Sequence, residues 1–225
     1  MSLVIKQISA LEKVRLHDEL NHKETNAYTV LQGQRLSYQV AIDAKHLKWQ
    51  TKKVWIESEL SDYVRVYSVK EVVVDKIFRE DDPQAEDYII TEPGRLPDVL
   101  VPIAHQNNLA TLSDGNIVFW VKVDVPADLA PGKYTVKFFI ETGFEEGEPN
   151  QHVDMEITVL PSELPEQTLR YTRWFYADCI ADAHEVEIFS ERHWMLIEEY
   201  IKAATDGGVN MILVPIHTPP LDTAI

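Results

Sequence analysis

Strict alternation of apolar and polar positions marks the clearest elements of this chain. Val153, Met155, Ile157 and Val159 interleave with His152, Asp154, Glu156 and Thr158, the period-two pattern of a strand with one face buried and the other wet. Tyr134, Val136, Phe138 and Ile140 repeat it. A third run, Ile117 to Val125, is separated from these by Pro126-Ala-Asp-Leu-Ala-Pro-Gly132, where Pro131 presets a turn and Gly132 supplies a permissive backbone position. Earlier strand candidates are Lys13 to His17, Leu36 to Asp43, Lys53 to Glu59, Tyr63 to Val69, Glu71 to Phe78 and Val99 to Ile103. About nine strands at spacings of roughly 10 to 20 residues predict a mainly β fold, an antiparallel immunoglobulin-like β-sandwich over residues 1–160.

The pattern breaks at Leu160-Pro-Ser-Glu-Leu-Pro-Glu-Gln-Thr168, so residues 161–168 read as a linker and 169–225 as a separate unit. Beyond it Arg170 to Ala177 is extended, and Ser190 caps a helix. Trp194, Ile197, Ile201 and Ala204 recur on one face of that helix, which ends at Gly207-Gly208. Asn210 to Ile216 is then a continuous apolar run, the composition of a parallel strand covered on both faces. Strand, helix and parallel strand make one βαβ unit, which cannot bury itself and reads as the start of a larger α/β domain.

Composition narrows the partners. The chain has 225 residues, 45% of them hydrophobic, enough for a real core. Its 21 basic and 37 acidic side chains leave a net charge of -16, which argues against nucleic acid as a partner. No stretch of about 18 apolar residues is present, so no membrane partner is expected. The N-terminus shows no secretory pattern, and with the single Cys179 this predicts a cytoplasmic protein without an internal disulfide. Acidic loops at Arg79 to Asp87 and Phe144 to Gln151 lack the Asp-x-Asp-x-Asp-Gly spacing of a calcium loop. Cys179, Asp182, His184, His193 and His217 are too scattered for a metal centre, and no phosphate or dinucleotide motif occurs, so neither metal nor cofactor is expected.

Chemistry concentrates in the last unit. If its strands are parallel, ligand-facing groups lie at their C-terminal ends. After the first strand these are Trp174 and Tyr176 on one alternating face, then Asp178, Asp182 and His184 in a connecting loop. After the second they are His217, Thr218 and Asp222. Aromatic faces stack on sugar C–H surfaces and carboxylates pair with sugar hydroxyls. The same aromatics also suit plain packing, and the carboxylates suit loop capping.

Three segments carry a family resemblance: Trp174-Phe-Tyr-Ala-Asp-Cys-Ile-Ala-Asp182, Phe189-Ser-Glu-Arg-His-Trp194, and Gly208-Val-Asn-Met-Ile-Leu-Val-Pro-Ile-His-Thr-Pro-Pro-Leu-Asp-Thr223. They resemble the start of the barrel in bacterial proteins of domain of unknown function 4091, related to glycoside hydrolase family 123. Pro126 to Tyr134 more diffusely resembles the closing hairpin of the sandwich that precedes that barrel. The resemblance implies a (β/α)8 barrel and a retaining, substrate-assisted glycosidase acting on N-acetylhexosaminides, β-N-acetylgalactosaminides in particular. It also implies an Asp-Glu pair on a later strand, so no residue of this chain inherits a catalytic role and the chain alone is expected to be inactive. The adjacent carboxylates Glu80 and Asp81, Asp81 and Asp82, and Glu86 and Asp87 lie in a sandwich loop and do not qualify.

Two other readings stand beside this one. The sandwich is a carbohydrate-binding module using Trp49, Trp55 or Trp120, of which Trp120 is expected to be buried and Trp49 exposed, or it is a purely structural accessory. The uncovered faces of the tail predict self-association, a homodimer through the βαβ unit.

Overall fold

Alternation over so many short runs has one economical outcome, two sheets that turn their apolar faces toward each other. The computed structural model describes residues 3–46, 49–75, 92–141 and 150–215 and divides the chain into two units, Met1–Leu164 and Pro165–Ile225. The described part of the first unit contains β1 (Val4–Ser9), β2 (Ala27–Gln32), β3 (Arg35–Asp43), β4 (Gln50–Glu57), β5 (Val64–Val74), β6 (Gly94–Pro102), β7 (Leu109–Leu112), β8 (Asn116–Asp124), β9 (Gly132–Ile140) and β10 (Gln151–Glu163). They form one sheet ordered β1-β3-β8-β5-β6 and another ordered β2-β10-β9-β4-β7. Tyr38, Val40 and Ile42 of β3 and Phe119, Val121 and Val123 of β8 share one core with Val136, Phe138 and Ile140 of β9 and Met155, Ile157 and Val159 of β10. Phe119 and Phe138 meet across the two sheets at 5.0 Å between ring centroids. Each such buried side chain contributes about 1.5–3 kcal/mol.

Among the described strands of this unit pairing is antiparallel except for β2 against β10, which is parallel. The reason lies at Gly33, whose φ of 76° turns the chain out of β2 in one sheet and into β3 in the other. A strand that changes sheets cannot form a hairpin with its successor, and β2 completes its ladder on β10 instead.

Several strand boundaries differ from expectation. Tyr63 to Val69 and Glu71 to Phe78 read as two strands. The described part of that region is one strand, β5, whose register against β6 shifts between Lys70 and Glu71; Phe78 lies outside the described residues. A bulge absorbs the extra residue without ending the strand. β10 runs through Pro161 to Glu163, into the segment expected as linker, with its register against β2 shifting between Leu160 and Glu163. β1, β2 and β7 were not foreseen. Trp120, expected to be buried, is partly exposed because it alternates with the inward-facing Phe119 and Val121. Trp49 is 73% exposed, as expected.

Lys13 to His17 is not a strand but part of an irregular segment held by buried amides. Gln39 Nε2 donates to the carbonyls of Ser9 and Glu12, both at 2.9 Å. Asn116 Nδ2 donates to the carbonyls of Arg15 at 2.9 Å and Asp18 at 2.7 Å, and its backbone N–H donates to Leu16 O. Ile8, Val14, Leu20, Ala41 and Val118 form a second small core beneath it, so β3 is buried on both faces. Leu16 sits against Gly115, whose φ is 150° and where a Cβ would lie 2.4 Å from Leu16 Cδ1. The Arg15 guanidinium holds the Asp18 carboxyl below its ordinary range, at 2.9 Å and in a half-exposed position that limits its worth to under about 1 kcal/mol.

The buried amides therefore outweigh the ion pair in holding this segment. Asn116→Ala strands two carbonyls and lowers stability by about 2–3 kcal/mol, whereas Asp18→Asn lowers it by under about 1 kcal/mol. Urea unfolding of the two variants checks the order, and equal losses would contradict it.

Candidate functional site

The second unit grows from two short strands and the crossover between them. β11 (Thr172–Trp174) pairs in parallel with β12 (Met211–Leu213) in the register Thr172 to Met211, Arg173 to Ile212 and Trp174 to Leu213. Phe175 N–H extends the ladder to Leu213 O at 2.9 Å. Between the strands lie α1 (Ala177–Ala183) and α2 (Glu191–Asp206).

Ser190 caps α2 as expected, its hydroxyl accepting the His193 N–H at 3.3 Å, and Gly207 follows the last helical residue. The buried face differs from the one anticipated. His193, Leu196 and Ile197 point inward, while Trp194 is 55% exposed. Leu196 and Ile197 pack with Ile180 of α1 and against Phe175, Ala177, Val186 and Ile201.

His193 decides that rotation. It is wholly buried, its Nδ1 accepting the Phe189 N–H at 2.9 Å and its Nε2 lying 2.7 Å from the Ala177 carbonyl. Both contacts are satisfied by one neutral tautomer with the proton on Nε2, which ties the start of α1 to the start of α2. The sequence reading counted His193 only among scattered metal donors. The signal available was its place three residues after the Ser190 cap, where a side chain reaches back to a free backbone N–H. The same bond holds Phe189 at φ 60°, a left-handed conformation unusual for a bulky residue, with its ring stacked on Trp194 at 5.6 Å.

Alternation along β11 places Trp174 and Tyr176 together, their rings stacked at 6.1 Å with 13° between planes. Trp174 is 63% exposed, and Met211 and Leu213, at the same pleat positions of β12, are also exposed. Among the described residues of this unit the Ile212 face of β12 shares a cavity with α2 and the Met211–Leu213 face is left open, the uncovered face expected of a βαβ unit taken by itself. That cavity, about 510 Å³, is lined by Phe175, Asp178, Phe189, Trp194, Ile197 and Ile212 among others.

The remaining candidate residues separate. Asp178 and Asp182 were expected in a loop but stand in α1, Asp178 in its first turn and half-buried, Asp182 one turn later and exposed. A helix forms because Ala177 to Ala183 has no β-branched residue but Ile180 and buries Ile180 and Ala181. His184 ends that helix and meets the Tyr200 hydroxyl at 3.0 Å, ring edge to ring face, away from the Trp174–Tyr176 pair in bonding terms. His217, Thr218 and Asp222 lie outside the described residues. Among the described residues no three His, Cys, Asp or Glu side chains are grouped to hold a metal ion, and no helix is long and apolar enough to cross a membrane.

The expected consequence of the histidine tie is specific. His193→Ala leaves the Phe189 N–H and Ala177 carbonyl unpaired and opens a void, a loss of about 2–4 kcal/mol confined to the second unit. Hydrogen exchange followed by peptide mass analysis would show faster exchange in α1 and α2 with β3 and β8 unchanged; unchanged exchange in α1 would contradict the role assigned to it.

A family model described as the catalytic domain of glycoside hydrolase 123 matches residues 174–224. Among solved structures, a family 123 glycoside hydrolase from Clostridium perfringens, determined for the details of glycolipid glycan hydrolysis, superposes with a TM-score of 0.73 at 15% identity. The alignment covers 94% of this chain and 38% of that one, so the chain spans well under half the length of that enzyme. The N-terminal domain of PorA (TM-score 0.34, 7% identity, 72% of this chain and 99% of that one) is too distant to bear on the fold. So is AggA, the major subunit of aggregative adherence fimbriae type I from Escherichia coli (TM-score 0.30, 12% identity, 71% and 95%). No curated protein matches the sequence. The catalytic-domain match starts at Trp174, the last residue of β11, and with the shared fold it relates this chain to glycoside hydrolase family 123.

Proposed function

We infer that β11, α1, α2 and β12 are the first βαβ unit of a (β/α)8 barrel in a glycoside hydrolase acting on N-acetylhexosaminides, preceded by an immunoglobulin-like sandwich. The observation that carries this reading is coincidence: the catalytic-domain match covers the segment in which a parallel strand pair is joined by helices, and not the antiparallel sheets before it. Parallel pairing of this kind belongs to α/β architectures, whose ligands lie beyond the C-terminal strand ends. In such a barrel the face bearing Trp174, Met211 and Leu213 turns inward and the face bearing Phe175 and Ile212 meets the helices.

Roles follow from that placement. The stacked Trp174–Tyr176 pair sits at the C-terminal end of β11 and offers an aromatic surface to a pyranose ring. Asp178, with Asp182 one turn farther along α1, offers carboxylates to sugar hydroxyls, and His217 and Asp222 follow β12 at the equivalent end. His184 is engaged by Tyr200 and takes a supporting part. The resemblance to proteins of domain of unknown function 4091 assigns hydrolysis to an adjacent Asp-Glu pair on a later strand, with the substrate's acetamido group assisting in a retaining reaction, unlike the two-carboxylate scheme of most glycosidases.

The 225-residue chain is accordingly inactive by itself, and a polypeptide extended to the full reading frame is active. The assay is release of the aryl group from an aryl N-acetyl-β-galactosaminide. In the extended protein, Trp174→Ala raises KM or lowers kcat/KM by roughly tenfold, the worth of one stacking contact. Hydrolysis by the purified short chain would overturn the reading.

A further inference from the structure

We propose that the first unit carries a binding site for a small zwitterion, a free α-amino acid, between the irregular segment at residues 15–18 and strands β5 and β6. An open cavity of about 490 Å³ lies there, within the range of pockets that take one small ligand, lined by Arg15, Leu16, His17, Asp18, Glu71 and Arg95.

Strand register brings these groups to one side of one sheet. Val69 packs against the small core behind β3, and Glu71 and Val73 follow it at alternate positions of β5, so all three point the same way. The register shift skips Asp98 of β6 and leaves the alternation of β5 undisturbed. Directly opposite residues share a face, and Pro97 stands opposite Glu71 and Arg95 opposite Val73, which makes Arg95 the diagonal neighbour of Glu71. This is the face that the irregular segment covers. Glu71 Oε1 accepts the Leu16 N–H at 3.0 Å, and the Leu16 carbonyl accepts the Asn116 N–H at 2.6 Å. Since β5 and β8 pair only as far as Ser68 and Phe119, the two strands part beyond that point and Leu16 bridges them, fixing the segment as one wall of the cavity.

Two opposite charges are left open to this space. Arg15 is committed to Asp18 at 2.9 Å. Arg95 forms no hydrogen bond or ion pair among the described residues, in a chain with 37 acidic side chains against 21 basic ones. Glu71 uses one carboxylate oxygen on Leu16, and its charge reaches the same cluster: the Arg15 guanidinium is held above its ordinary value first by Asp18 and in smaller part by Glu71. Diagonal neighbours on adjacent strands have Cα atoms about 7–8 Å apart, a gap that an ammonium and a carboxylate carried on one carbon can span. The ammonium meets the second oxygen of Glu71, and the carboxylate meets the Arg95 guanidinium, whose planar fork matches it with two parallel N–H bonds. Around the cavity two guanidiniums balance two carboxylates, which favours a ligand carrying both signs over a simple anion or cation. A neighbouring cavity of about 340 Å³ shares Leu16, Glu71 and Arg95 and leaves room for a side chain. The site lies within the first unit and does not depend on the glycosidase reading of the second.

The test is isothermal titration of the full chain with L-threonine, with N-acetyl-L-threonine, which lacks the ammonium, and with L-threonine amide, which lacks the carboxylate. The zwitterion is expected to bind saturably with a dissociation constant below about 1 mM, and each singly charged analogue at least roughly tenfold more weakly. Glu71→Gln keeps an acceptor for the Leu16 N–H, and Arg95→Gln alters an exposed side chain on an edge strand. Both variants should therefore melt as the wild type does while binding threonine roughly tenfold more weakly. Lys133→Gln, on the other sheet, should bind as the wild type does. If Arg95 merely guards the sheet edge, Arg95→Gln keeps wild-type affinity, and that result would overturn the proposal. So would the absence of heat up to about 10 mM threonine, or equal affinity for either analogue.

Discussion

A parallel pair of strands cannot be closed by a tight turn, and this constraint shapes everything chemical in the protein. To bring β12 beside β11 in the same direction, the chain must cross over, and it does so through α1 and α2. The crossover needs its two helices held against one strand face, which Ile180, Leu196 and Ile197 do by packing and His193 does by direction. With one face of the strand pair committed to the helices, the other is left to Trp174, Met211 and Leu213, and the aromatic pair emerges at the C-terminal end of β11. The position of the aromatic pair thus follows from the crossover rather than from any local motif.

The antiparallel unit obeys a different logic. Most of its described strands pair with partners distant in the chain, only β5–β6 and β9–β10 being consecutive, and the core is assembled from alternating residues that meet across two sheets, Phe119 against Phe138 at the centre. Departures from simple hairpins are where its particular features sit. The change of sheet at Gly33 makes β2 parallel to β10, the Lys70–Glu71 shift carries β5 past a bulge, and buried Gln39 and Asn116 hold an irregular segment on the back of β3.

How far this could be read from the residues depended on whether the pattern was periodic. β9 and β10 bury one set of alternating positions, β3 and β8 bury that set and part of the other, and all four stand close to where alternation placed them. β1 and β2 were missed because Val4 to Ser9 and Ala27 to Gln32 mix apolar with polar residues on both faces, and only tertiary pairing makes them strands. The Ser190 cap announced α2, but periodicity alone chose Trp194 for the core, since it had no means of knowing that a histidine with two backbone partners would occupy the buried position. α1 went unseen because seven residues give barely two helical turns, too short for a period to show. Asp178 and Asp182 therefore follow β11 in a helix, where the sequence pointed to a loop.

The central claim is that the stacked aromatics at the end of β11 face a sugar inside a barrel built from further strand–helix repeats. The most direct measurement is a crystal structure of the full-reading-frame polypeptide soaked with N-acetylgalactosamine. The account predicts that β11 and β12 are neighbouring staves of a closed parallel barrel, with the sugar ring in van der Waals contact with Trp174 or Tyr176, about 3.5–4 Å between carbon atoms. A sugar bound elsewhere, or a strand pair left outside any barrel, would contradict it.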